Sequence, residues 1–337
     1  MKVDESKSMF SGDDVLILTK GLERLTLTRS SASASCSTAT LLSPAAPKSF
    51  LLLVSPEEEK MFTTIQSLRS HALAPHKIYE FIRSCIDEQL AGEAPGYSKV
   101  ALIKFFRKCR EQGFNFALIQ NERGETVMHV AADQGDPYVL MLFVQAGSSS
   151  YPLTKHKGTP LHFAAFCARE KTVRFLVQAA LREGHNIDHP DDFGMTALHW
   201  LTYSTYPPRE RIRLDGSRES MVAEIQKIKE AEDKVVAILL DAKAHVAATD
   251  ALRRTPLHWA ACNGKEVIVD GLLKHLTDEQ FLVLMAMQDK DRQTPLDGAV
   301  FFRRQGVINI FWVKLLEFLK TFHGFNDPQL LIIISYI

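Results

Sequence analysis

The chain has 337 residues, 46% of them hydrophobic, with 40 Lys plus Arg set against 40 Asp plus Glu. That length supports one extended repeat array or two compact domains with a real core, and a formal net charge of zero excludes a whole-molecule field that would draw in nucleic acid or an anionic membrane. Five scattered cysteines (Cys36, Cys85, Cys109, Cys167, Cys262) include no C-x-x-C pair, which argues against a disulfide framework or structural zinc site and for a reducing, cytoplasmic compartment.

No segment is expected to insert in a membrane, because the apolar runs at 50–54 and 330–334 fall far short of the roughly 20 residues needed to cross one. The first apolar run, 15–18, follows Asp13 and Asp14 and does not read as a secretory signal. Asp4, Glu5 and Glu23 add to the case against a mitochondrial presequence. Residues 1–54 read as a disordered tail, since 30–40 (SSASASCSTAT) offers almost nothing to bury; phosphorylation or targeting is the functional reading of this segment.

Helical order is expected from Ser55, where Ser-Pro-Glu-Glu supplies a cap, proline at the first helical position and Glu three residues after the cap. Met61, Phe62, Ile65 and Leu68 follow at helical spacing. A second helix carries Ile78, Phe81, Ile82, Cys85, Ile86 and Leu90 as one apolar stripe. The third starts near Ser98, is expected to bury Val100, Leu102, Ile103, Phe105 and Phe106, and ends at Gly113. Residues 55–120 thus form a helical cap.

From Asn121 onward the chain repeats. The segments NERGETVMHVAADQG, TKHKGTPLHFAAFCA, DDFGMTALHWLTYS, DALRRTPLHWAACNG and DKDRQTPLDGAVFF align on Thr126, Thr159, Thr196, Thr255 and Thr294, which are 33, 37, 59 and 39 residues apart. Each threonine is placed to cap a helix, and Pro160, Pro256 and Pro295 fit the next position without losing a needed donor. Paired alanines such as Ala131–Ala132 allow close helix approach, Gly135 and Gly264 end first helices, and residues such as Val139, Leu140, Leu142, Phe143 and Val144 give each second helix a buried stripe. One such pair is too small to bury its own face, so stability must come from stacking.

This pattern resembles the ankyrin repeat family. The resemblance covers 121–319, divided about 121–150, 154–187, 191–248, 250–288 and 289–319, with 98–120 similar to the second half of a degenerate earlier repeat and 320–337 left as a tail. It implies an all-α solenoid of helix pairs with turn connections. It also implies that His129, His162, His199 and His258 are structural, bonding across neighbouring turns, with Asp297 in that place in the last repeat. Trp200 and Trp259 read as core residues.

Departures from the pattern are informative. Gly124 and Gly194 stand two residues before their threonines, but Lys157, Arg253 and Arg292 replace that glycine, and Lys243 replaces the glycine after a second helix. Left-handed backbone at a non-glycine residue costs on the order of 1 kcal/mol, so these turns are expected to be altered or looser. The longest interval contains an insertion, 204–234: a loop, YPPRERIRLDGS, then a long helix capped by Ser220 with Met221, Ile225, Ile228, Val235 and Leu239 at helical spacing.

By the same resemblance the array binds one or more partner proteins through its turn tips and inner face, as a scaffold, adaptor or regulator. The residues placed there are Phe166, Phe193, Met195, Tyr203, Leu252, Arg254 and Phe301, with Arg209, Arg211 and Arg213 on the inserted loop. Phe166, Tyr203 and Phe301 share the position seven residues after the threonine and are expected to form an exposed aromatic row suited to an interface hot spot. The insertion's equal numbers of acidic and basic residues argue against nucleic acid. A monomer without cofactor or metal is expected.

Two other readings are distinct. Similar arrays are exported into host cells by intracellular bacteria, where they bind host proteins. An enzyme would need a cryptic site, and the only conceivable one pairs Cys85 or Cys109 with His71 or His76. No G-x-S-x-G, G-x-x-x-x-G-K-[ST], H-E-x-x-H or G-x-G-x-x-G motif is present, and both cysteines lie on apolar stripes where an inert thiol is the ordinary outcome. The segment 330–337 (LLIIISYI) is β-prone and uncharged; docking on the last helices, a linear signal and a truncated reading frame are the three readings it allows.

Overall fold

A computed structural model describes residues 56–69, 74–91, 99–111, 113–203 and 218–323. The expected tail 1–54, the Ser55 cap, Cys36, His71, Arg209, Arg211 and Arg213, and 330–337 lie outside the described residues. Fourteen α-helices and no strands occur among the described residues, which is the helical solenoid that the repeat pattern implies.

The first three helices are α1 (Pro56–Arg69), α2 (Ala74–Ala91) and α3 (Lys99–Glu111). Their apolar spacing holds at Met61, Phe62, Ile65, Ile78, Ile82, Cys85, Leu102, Phe105 and Phe106, all buried. Val100 does not follow: it is 59% exposed, because it sits at the start of α3 on the side away from α5. Gly113 takes φ +82 after α3, as the cap there requires.

The repeats then supply α4 (Val127–Gln134) and α5 (Pro137–Gln145), α6 (Pro160–Phe166) and α7 (Glu170–Glu183), and α8 (Ala197–Tyr203) and α9 (Arg218–Asp241). They continue with α10 (Pro256–Asn263) and α11 (Glu266–Lys274), the additional α12 (Asp278–Ala286), and α13 (Pro295–Phe301) with α14 (Gln305–His323). Three first helices begin at the proline after their threonine. First helices pack in one row, α2, α4, α6, α8, α10 and α13; second helices pack in another, α3, α5, α7, α9, α11 and α14. Thus α2 and α3 stack on the array as a helix pair of its own kind, a place that the sequence pattern assigned only to α3.

Between the rows, turns project. Each is closed by a bond from the residue five before the threonine to the carbonyl of the residue just before it, as in Asp191 N to Met195 O (2.9 Å) and Asp250 N to Arg254 O (3.0 Å). The side chains of Asn121, Asp191, Asp250 and Asp289 accept two further backbone N–H groups apiece. Consecutive tips are joined by Lys155 N to Arg123 O, Asp192 N to His156 O, Ala251 N to Phe193 O and Lys290 N to Leu252 O, at 2.7–3.0 Å. The cationic residues in the glycine position do not loosen these turns: Lys157, Arg253 and Arg292 take φ of 59°, 61° and 61°, beside 76° at both Gly124 and Gly194. Closure of the turn and its bond to the next tip over-determine the backbone, so the strain is borne locally.

The insertion lengthens α9 to 24 residues, starting at Arg218 and not at Ser220. Its C-terminal half buries Val235, Val236, Ile238, Leu239 and Leu240 and packs between α7 and α11, while Val222 near its start is 59% exposed. At the boundary Glu232 and Lys265 form an ion pair of 2.8 Å with side chains 2% and 3% exposed. Burial lowers the lysine pKa, and only the carboxylate opposes it. Removing one member of such a pair costs about 3–5 kcal/mol, whereas an apolar pair of similar volume is often neutral. Glu232→Gln is therefore expected to lower the urea midpoint strongly, and Glu232→Leu/Lys265→Met to recover most of the loss. A single-variant loss under about 1 kcal/mol would show that the pair is solvated.

Candidate functional site

The motif histidines are buried, 0–1% exposed. In each of four repeats the backbone N–H of the capping threonine donates to histidine Nδ1 at 3.1 Å. A backbone N–H can only donate, so Nδ1 is the acceptor and the proton sits on Nε2. Nε2 then donates to a carbonyl of the next turn: His129 to Gly158, His162 to Met195 and His199 to Arg254 at 3.1 Å, and His258 to Gln293 at 3.2 Å. Burial pushes the pKa of His129 and His199 down to about 4 and that of His162 to about 3, and lowers His258 as well. A neutral imidazole with both nitrogens engaged has no lone pair for a metal, and no metal-binding group of acidic, Cys or His side chains occurs among the described residues. In the last repeat Asp297 Oδ2 accepts from Thr294 N (2.9 Å) but cannot donate onward.

The expected aromatic row is not uniformly exposed. Two of the three rings seven residues after a threonine pack edge-on against the tryptophan of the following first helix: Phe166 on Trp200 (6.0 Å, 76°) and Tyr203 on Trp259 (4.9 Å, 87°). Phe166 and Tyr203 are half-buried, and burial raises the Tyr203 hydroxyl pKa to about 12. Phe301, in the fifth repeat, meets no tryptophan ring among the described residues and is 51% exposed beside Phe302 (5.1 Å). The tryptophans are held in turn by Nε1 bonds to the turn carboxylates Asp191 (2.9 Å) and Asp250 (2.8 Å). An edge-to-face pair contributes about 0.5–1.5 kcal/mol beyond its burial, so these rings serve the stack while staying half-exposed.

Among the tip residues, Phe193 is half-buried against His156 (6.3 Å), and Leu252 is half-buried. Two expected contact residues are withdrawn from the surface. Met195 is 4% exposed, and its carbonyl receives His162. Arg254 is 2% exposed, bonded through Nε to Asp289 (3.2 Å), 3.7 Å from Asp291 and over the Trp259 ring at 5.3 Å. Both work inside the array. Sequence reasoning missed the polar residue five places before each threonine (Asn121, Thr154, Asp191, Asp250, Asp289), although its recurrence was readable. Asp133, which shares the register position of Phe166, works between repeats: it accepts from Cys167 Sγ (2.9 Å) and, through its carbonyl, from Arg169 Nε (3.0 Å).

The cysteines of the conceivable Cys/His site are 3% (Cys85) and 1% (Cys109) exposed, and burial holds the Cys109 thiol up at about 12, far from a thiolate nucleophile at neutral pH. No described helix is long and apolar enough to cross a membrane.

Comparison with known proteins agrees with this geometry. The ankyrin repeat family model matches residues 156–192 and 253–278, which contain two of the bridging histidines, His162 and His258. Ankyrin repeat domain-containing protein 63 of Homo sapiens is 30% identical over 95 residues, 28% of this chain and 25% of that protein. The Mus musculus protein of the same description is likewise 30% identical over 95 residues, 24% of its length. The chain therefore matches about a quarter of the length of these relatives.

Two outcomes follow for the imidazoles. His162→Ala or His258→Ala is expected to cost about 1–3 kcal/mol in chemical unfolding, the loss of buried hydrogen bonds, and added zinc should leave the melting temperature unchanged; a zinc-dependent rise abolished by both variants would contradict the assignment. The folded pKa values lie below the ordinary 6.5, so between pH 6.5 and about 4 the unfolded chain binds protons that the folded chain refuses. Stability is thus fully present above pH 6.5 and falls as the pH drops through that window. Flat unfolding midpoints from pH 7 to 4.5 would contradict it.

Proposed function

Since the chain is an ankyrin-repeat protein, we propose that it is a protein-binding module whose inner face, centred on α6, α8 and α13, captures a partner protein in an adaptor or regulatory role. The observation that carries this reading is the series of rings on first helices, half-exposed at Phe166, Trp200 and Tyr203 and open at Phe301. Edge-on packing fixes the rings before binding, so little side-chain entropy is lost when a partner covers them. Rigid aromatics at the centre of a patch are what hot spots are made of. The inserted loop with Arg209, Arg211 and Arg213 acts as an accessory surface that speeds encounter. A cytoplasmic setting and action as a monomer belong to the same reading.

Phe166→Ala/Tyr203→Ala removes the inner edge, but both rings also support a tryptophan, so the pair is expected to cost stability by about 1–3 kcal/mol. Phe301→Ala, at an open position, should not. The experiment is affinity capture with the full chain, the double variant and Phe301→Ala, each checked for folded circular dichroism. Both sets should lose partner yield, while changing Arg209, Arg211 and Arg213 together should mainly alter association rate and its salt dependence. Unchanged yield from folded variants at all three aromatic positions would remove the inner face as the binding surface.

A further inference from the structure

The turn tips form one strip, since each is hydrogen-bonded by backbone to the next. In register along it, the position two before the threonine reads Gly124, Lys157, Gly194, Arg253 and Arg292, all left-handed. Where that position is not glycine it is a long cation. Glycine would adopt the same φ without strain, so the fold gives no reason for the cations, and their charge is what distinguishes them.

The first cation is neutralised inside the chain: Lys157 Nζ lies 3.0 Å from Asp192 on the next tip, which also meets His156 at 3.4 Å. The same register step from Arg253 leads to Lys290, whose N–H bonds Leu252 O, so a like charge stands where a carboxylate stood. Arg292 follows on the same turn. Arg253, Lys290 and Arg292 are all exposed and enter no ion pair among the described residues. The intervening carboxylate, Asp291, is directed to Arg254, and Asp289 is buried on the same guanidinium. The tips of the last two repeats therefore carry three exposed cations against one exposed carboxylate, Asp291, which lies 3.7 Å from Arg254, and the cations are flanked by the half-buried Leu252.

We propose that these tips bind an extended acidic segment of the partner protein, rich in Asp and Glu, as the selecting part of the protein-binding role above, on which this inference rests. Stacked helices lie about 8–10 Å apart and an extended chain advances about 3.3 Å per residue, so a carboxylate at every third residue meets successive tips. The number of cations favours a peptide over the other polyanions. Three fall short of the four to eight basic residues of an anionic-lipid patch and of the six to ten phosphate contacts of a typical DNA binder.

The test uses the full chain and a fluorescein-labelled peptide of four Glu-Gly-Ser units, with Lys-Gly-Ser units as the reversed control. The variant is Arg253→Gly/Lys290→Gln/Arg292→Gly, which removes the charges while relaxing two left-handed residues. Its melting temperature should be equal to or above that of the parent, while Kd for the acidic peptide rises about tenfold, as for three exposed pairs, and the salt dependence of binding weakens. Equal Kd for parent and variant, or binding of the reversed control as tight as the acidic peptide, overturns the proposal. Tighter binding of a 20-base-pair duplex or of phosphatidylserine vesicles than of the peptide also overturns it. Phe166→Ala/Tyr203→Ala should bind the acidic peptide like the parent; if that variant still captures partner protein while the tip variant loses the peptide, the inner-face reading falls and this one stands.

Discussion

Everything in the array depends on one neutral imidazole per repeat. Its Nδ1 accepts the N–H that starts its own helix, and its Nε2–H reaches the carbonyl just before the next repeat's threonine. That single side chain fixes helix start, turn closure and the spacing between neighbours. Because it is dry, a proton on Nδ1 would break the bond to the threonine and leave a buried charge, so the ladder is strong only while neutral. The last repeat substitutes Asp297, an acceptor without a donor, which satisfies its own helix start and passes nothing on.

The turns convert this spacing into a surface. In three of the turns a buried carboxylate five residues before the threonine (Asp191, Asp250, Asp289) accepts backbone N–H groups, and at Asp191 and Asp250 it also holds the tryptophan indole. Burial raises both carboxyl pKa values, and the bonds from the indole and backbone N–H groups oppose it. The same tryptophans receive the preceding repeat's Phe166 or Tyr203. Scaffold and proposed binding face therefore share atoms: the rings that a partner would cover are the rings that lock one repeat to the next.

The inserted segment shows how the stack absorbs an irregular interval. Thr196 and Thr255 are 59 residues apart, yet His199 still reaches Arg254 O at 3.1 Å. Within the described part of that interval the first turns of α9 are extra, and the helix joins the row of second helices where Glu232 meets Lys265. A buried pair at that point sets where the helix enters the row, since sliding α9 along its axis would strand both charges.

The sequence by itself determined the local features of this protein: the threonine caps and proline starts, the glycine ends, the structural histidines, and the left-handed sites at Lys157, Arg253, Arg292 and Lys243. The caps, helix ends and left-handed sites are set within one turn or helix, and the histidine bridge recurs at one register from repeat to repeat, so a repeating pattern displays them directly. Only the tertiary structure decided which side chains face outward. Phe166 and Tyr203 are packed against a tryptophan of the following repeat, Met195 and Arg254 are buried, Phe301 stays open, and Val100 leaves the core. The Arg254–Asp289 and Glu232–Lys265 pairs also join different repeats. Exposure in a stacked array is set by the neighbour, and spacing within one repeat carries no information about what the next one places against it.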